Sequence, residues 1–173
     1  MGTTPEFFDR YQYRGGRALD FASGHGLNDL YDAVIGADVA ATLGYRVGDP
    51  IVVSHGIASF TQHEDQPFRV AGIVAKTGTP VDRTVIVGLN AIEAIHVDWQ
   101  SGAKTRNTTP VEAIREMDLT PTAITAALVG TKSRLQIFGL QRWVNEYAEE
   151  PLLAVMPGVA LQELWQIVGV AET

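Results

Sequence analysis

The segment from Pro67 to Trp99, PFRVAGIVAKTGTPVDRTVIVGLNAIEAIHVDW, constrains the fold most, because it sets two apolar strands on either side of a stiff loop. Phe68 to Val74 alternates in the strand manner, with Phe68, Val70 and Gly72 on one face and Arg69, Ala71 and Ile73 on the other. Thr77-Gly78-Thr79-Pro80 then enforces a turn: Gly78 accepts a positive φ that strains a residue with a Cβ, and Pro80 fixes its own φ while pushing Thr79 into extended backbone. Asp82 follows as a turn carboxylate suited to accept backbone N–H bonds from the 77–79 region. Thr84 to Val87 resumes a β-branched strand, and Asn90 suits the cap of a short helix from Ala91 to about His96. No recognisable catalytic signature lies in this stretch.

Upstream, Phe7 to Phe21 is aromatic, charged and broken by Gly15 and Gly16, which reads as a strand and loops. Leu27 to Tyr45 is helix-compatible, best from Ala37 to Leu43, where Val39, Ala40 and Leu43 share a face and Gly44 occupies the αL position past the end. Val47-Gly48-Asp49-Pro50 turns the chain into a strand from Ile51 to Ser54, and a second is expected from Ile57 to Gln62 before the polar tip His63-Glu64-Asp65-Gln66. Closely spaced short strands argue for a small twisted antiparallel sheet or partial barrel.

Gln100 to Thr120 loses periodicity and reads as a linker or surface loop. Beyond it, Ala123 to Val129 alternates as a covered strand, Ser133 caps a helix to about Tyr147 with an Ile137, Leu140, Val144, Tyr147 stripe, and Leu152 to Met156 forms another apolar strand. Leu161, Leu164, Trp165 and Val168 make the face of a last helix. Strand, helix and strand in that order is a βαβ unit. The expected class is therefore α+β: a β-rich subdomain at 34–99 inserted into an α/β subdomain of 1–33 plus 120–173, with 100–119 as the connection.

Gly36, Ala40, Leu43, Gly44, Gly48, Asp49 and Ile51 lie in a G-x-x-x-A-x-x-L-G-x-x-x-G-D-x-I run. Phe68, Val70, Gly72 and Ile73 then form an F-x-V-x-G-I strand, and Thr77, Gly78, Thr79, Pro80 and Asp82 a T-G-T-P-x-D loop. In that order and spacing, these motifs resemble the extracytoplasmic core domain of MacB-type, FtsX-like ABC transporter permeases. The resemblance extends to Ile124-Thr125-Ala126, Leu128-Val129, Lys132-Ser133, Leu140-Gln141 and Met156-Pro157-Gly158, and is weakest from Gln100 to Leu119. It implies a periplasmic location on a bacterial inner-membrane protein, nucleotide hydrolysis on a separate cytoplasmic ABC ATPase, and no catalysis or cofactor in this domain. Its partners would be that ATPase, reached through membrane helices outside this chain, and a second permease copy or a periplasmic protein. It also implies that the first strand and helix of the α/β subdomain are missing and that the chain is an excised soluble piece.

Composition excludes several other classes. The 173 residues carry a formal net charge of −7, with no Lys/Arg stripe of the kind a phosphate backbone needs, so nucleic acid is not an expected partner. No polybasic segment would hold the chain on anionic lipid, no run of eighteen apolar residues would span a bilayer, and Met1 to Asp20 lacks the apolar core of a signal peptide. The absence of cysteine removes disulfides and thiolate metal sites.

Of the four histidines, His55, His63 and His96 are the weak candidates for a zinc site, with Glu64, Asp65 and Asp98 nearby in sequence; no H-E-x-x-H or other fixed spacing supports them. His25 sits between two glycines. Gly130-Thr131-Lys132-Ser133 ends like a P-loop but lacks its glycines at Ala126 and Thr131, and neither Ser23 nor Ser54 stands in a G-x-S-x-G elbow. Asn107-Thr108-Thr109 is a formal glycosylation sequon. Trp143, Trp165 and the Leu161/Leu164/Val168 stripe suit either a core or a partner surface. Two rival readings stand beside the permease domain: a zinc-binding extracytoplasmic module and a small hydrolase. Gly78, Pro80 and Asp82 are expected to hold a loop.

Overall fold

In a computed structural model, the structure describes residues 1–53, 68–100, 103–104 and 109–160, and the chain forms two compact units, Met1–Thr125 and Ala126–Thr173. The first unit is built on β1 (Gly2–Thr3), α1 (Glu6–Arg10), β2 (Gln12–Tyr13), β3 (Arg17–Ala18), β4 (Phe21–Gly24), β5 (Asp32–Ile35), α2 (Ala37–Leu43), β6 (Pro50–Ile51), β7 (Phe68–Val74), a 3-10 turn (Pro80–Arg83), β8 (Val85–Gly88), α3 (Leu89–His96), β9 (Trp99–Gln100), β10 (Ala103–Lys104) and α4 (Val111–Arg115). In the second unit, α5 spans Arg134–Asn145.

Six strands form one sheet in the order β1-β8-β5-β7-β4, with β6 also on β7. It is mixed: β1 runs parallel to β8 and β5 parallel to β7, whereas the β5–β8, β4–β7 and β6–β7 pairs are antiparallel. The expected antiparallel sheet is thus corrected, because the chain passes through α2 between β5 and β7 and returns in the same direction. The sheet stays open, and the fold is α+β. It takes β1, β4 and part of β5 from residues before 34 as well as β6, β7 and β8 from 34–99.

Both faces are covered. Ala33, Ile35, Phe68, Val70 and Val87 pack on Ala91, Ala94 and Ile95 of α3 and on Ile114 of α4. Val34, Val74 and Ile86 pack on Phe7, Phe8, Leu19, Leu27 and Val81. With both faces buried, β5 shows after Asp32 an unbroken apolar run, Ala33–Ile35, instead of alternation, which is why it reads from sequence as part of a helix.

β7 was expected to alternate throughout and does not. Ala33 pairs with Val70 and Val34 with Gly72, so Ala71 is an extra residue, and beyond it Ile73 joins the face of Phe68 while Val74 joins the opposite core. A one-residue insertion reverses every later side chain. The bulge is pinned by His25, whose N–H donates to the Ala71 carbonyl at 3.0 Å. A Cβ on Gly72 would lie 2.2 Å from the His25 carbonyl oxygen, so only glycine allows this approach.

Other boundaries shift. Helix α3 begins at Leu89 with Gly88 as its N-cap, so Asn90 sits inside the first turn, where its Oδ1 accepts from the Ala91 N–H at 3.0 Å. Helix α2 matches the expected Ala37–Leu43, closed by Gly44 at φ 75°, although Leu43 points to solvent while Val39 and Ala40 pack on the core. Strand β6 ends at Ile51, short of the expected Ser54. The supposed linker contains α4, whose Ile114 is fully buried; Pro110 is its N-cap rather than a simple breaker.

In the second unit, Ser133 caps α5 by accepting from the Leu135 N–H at 3.3 Å. Ile137, Leu140, Val144 and Tyr147 are half-buried, as a stripe of that spacing implies. Neither 123–129 nor 152–156 pairs as a strand, so the expected βαβ ladder is not formed among the described residues. A strand needs a neighbouring strand, and among the described residues none pairs with either segment. The expected strand at Ile57–Gln62 and the helix carrying Leu161, Leu164, Trp165 and Val168 lie outside the described residues.

Candidate functional site

The most tightly built polar structure surrounds Asp82, which is 2% exposed. Its Oδ1 accepts from the Thr77 N–H at 2.8 Å and the Thr77 hydroxyl at 2.7 Å; its Oδ2 accepts from the Gly78 N–H at 2.7 Å. Thr77 Oγ1 in turn accepts from the Thr79 N–H at 3.1 Å, and Thr79 Oγ1 accepts from the Val81 N–H at 3.3 Å, capping the 3-10 turn that Pro80 opens. Gly78 has φ 72°, the left-handed backbone that aims its N–H at the carboxylate.

Burial pushes the Asp82 carboxyl up, but the Thr77 amide and hydroxyl, the Gly78 amide and the Lys76 ammonium outweigh it and hold the pKa at about 2. Lys76 Nζ lies 3.4 Å from Asp82 Oδ2 and is also paired with Asp38 on α2, whose other oxygen is 3.6 Å from Arg83 Nε. Asp38 and Asp82 therefore tie helix α2 and the segment from Lys76 to Arg83 into one charged cluster. With every oxygen of Asp82 occupied by donors and its pKa far below neutrality, this carboxylate is unsuited to accept or deliver a catalytic proton at neutral pH.

Two further knots were not visible in sequence. Arg115 of α4 makes a two-pronged pair with Asp29, at 2.7 and 2.8 Å, and its guanidinium lies 5.4 Å from the centre of the Tyr31 ring. The Arg115 hydrogen bonds hold the Asp29 carboxyl below its usual value. The buried Asp98 accepts from the Thr109 N–H at 2.8 Å and the Thr109 hydroxyl at 2.6 Å, closing the base of the β9–β10 hairpin. The available signals were Glu112 and Arg115 at opposite ends of a short segment after Pro110, but partners 86 residues apart leave no mark in a local pattern.

Of the zinc candidates, His55 and His63 lie outside the described residues. His96 Nδ1–H donates to the Ile92 carbonyl at 2.6 Å. Among the described residues no group of three or more His, Cys, Asp or Glu side chains is arranged to hold a metal ion. Trp143 is exposed, and Trp165 is outside the described residues. A groove of about 610 Å³ opens on the first unit beside Thr3, Pro5, Asn28, Asn90, Met117 and Leu119; Asn28 and Asn90 are both exposed.

The fold and its most tightly built polar cluster are thus a small open mixed sheet and a T-G-T-P-x-D loop locked by threonine hydroxyls and the Asp82 carboxylate. The family model for the MacB-like periplasmic core domain matches residues 1–117, and the chain belongs to that family: it is a periplasmic domain of an ABC transporter permease. No curated protein and no solved structure matched the chain. Among the described residues no helix is long and apolar enough to cross a membrane.

Proposed function

We propose that this domain is moved by membrane helices that a cytoplasmic ABC ATPase drives, and that the movement opens it, closes it or presents it to a periplasmic partner or a second permease copy. The observation that carries this reading is the family match over residues 1–117. Its physical requirement is stiffness, since a displacement is useful only where soft structure does not absorb it. The Asp82 cluster supports it: hydrogen bonds from Thr77 and Gly78 lock the loop on Asp82, and Lys76 and Arg83 tie the segment between β7 and β8 to Asp38 of α2. Gly78, Pro80 and Asp82 hold that loop and perform no reaction. The subdomain division, with a β-rich part at 34–99 inserted into an α/β part of 1–33 plus 120–173 and 100–119 as the connection, belongs to the same proposal.

The test uses the complete gene product with its ATPase. Spin labels at the exposed Ala41 and Gln136 report a distance distribution in the nucleotide-free, ATP-bound and vanadate-trapped states. A distribution that changes with nucleotide state supports coupling; one that stays constant through the whole cycle overturns it. A gene product without hydrophobic spans removes the proposal at once.

A further inference from the structure

In the second unit, a three-residue turn at Pro151, closed by the Leu152 N–H on the Glu150 carbonyl at 2.9 Å, leads into Leu153 to Met156, which has no turn or bend. Both backbone groups of Ala154 are held by α5: the Ala154 N–H donates to Asn145 Oδ1 at 2.8 Å, and its carbonyl accepts from Gln141 Nε2 at 3.4 Å. In an extended chain, neighbouring residues direct their N–H and C=O groups to opposite edges. If Ala154 faces α5, Leu153 and Val155 face away from it. Among the described residues, none makes a hydrogen bond to the N–H or C=O of Leu153 or Val155. Their side chains are 78% and 58% exposed.

Apolar, tethered to α5 at Ala154 and without a strand partner among the described residues, such an edge is a template for another strand. Charge selects the kind of strand. Glu146, Glu149 and Glu150 stand at the start of the segment, none with an ion-pair partner among the described residues, and the whole chain carries −7. A second copy brings a further −7 and is repelled, whereas a basic strand is attracted. We infer that the Leu152–Met156 edge receives an extended apolar strand of a partner protein, with Lys or Arg at the end that meets Glu149 and Glu150. Movement driven by nucleotide is not required for this pairing.

The probe is a capped peptide of two lysines followed by alternating valine and threonine, titrated into the full chain and followed by amide hydrogen exchange. Expected are saturable binding, slowed exchange at Leu153 and Val155, and weakening at high salt. Methylating the backbone nitrogens that face the protein should weaken binding about tenfold or more, since it removes the donors and keeps the apolar surface. Val155→Pro, which deletes an outward N–H, should abolish binding with the far-ultraviolet spectrum unchanged. Equal binding of the methylated peptide, no saturable binding, or protection confined to Ala154 overturns the inference. Self-association that Val155→Pro abolishes would assign the edge to a second copy, and also overturns it.

Discussion

The Asp82 carboxylate lies 2.7 Å from the Gly78 backbone nitrogen, a contact that the left-handed φ of Gly78 makes geometrically available. It places a charge under the loop where the backbone donates, so the loop's shape and the aspartate's ionisation are one property. Because the folded pKa falls from 3.8 to about 2, the unfolded chain binds the proton more tightly, and the stabilisation is fully present above about pH 4 and lost as pH falls towards 2. The expected contribution is about 2 kcal/mol. Urea unfolding from pH 2 to 7 should show wild type and Asp82→Asn diverging across that window, the variant weaker by roughly 2–4 kcal/mol at neutrality because an amide group opposes a donor. Parallel profiles would contradict this.

Gly72→Ala should destabilise the domain by roughly 2–4 kcal/mol, since the new methyl meets a backbone carbonyl at 2.2 Å and neither strand can retreat without opening the bulge. Gly139→Ala, on α5 with open space around it, should instead stabilise its helix by about 0.5–1 kcal/mol. Thermal unfolding and the helical circular-dichroism signal distinguish the two directions.

Arg115→Ala removes an exposed ion pair and a ring contact together, with an expected cost of about 1–2 kcal/mol. Arg115→Lys keeps the charge but neither the two-pronged geometry nor the flat stacking surface, so it should recover less than half of the loss. Added salt should shrink the wild-type advantage. Equal stability of the lysine variant and wild type would show that charge alone matters.

Thr109→Val keeps the shape of the side chain and the backbone donor to Asp98 but removes the hydroxyl at 2.6 Å from a buried oxygen. A loss of roughly 1–3 kcal/mol is expected, with faster amide exchange in the β9–β10 hairpin. Unchanged exchange there would mean that the Asp98–Thr109 contact does not close the hairpin.

Local chemistry in the sequence determined the pieces whose causes are short-range. The span of α2 and its Gly44 cap, the Ser133 cap on α5, the span of β7 and the turn at Thr77–Pro80 follow from backbone preference and from periodicity within a few residues. Tertiary structure decided the rest. Strand β5 has no alternation to read because both of its faces are buried; the reversal of faces within β7 depends on His25, 46 residues away; and α4 is fixed by Asp29 and Tyr31 across the fold. Segment 152–156 marks the same divide: its apolar residues suit a strand, but a strand exists only when another backbone lies beside it, and that neighbour is not encoded in the five residues themselves.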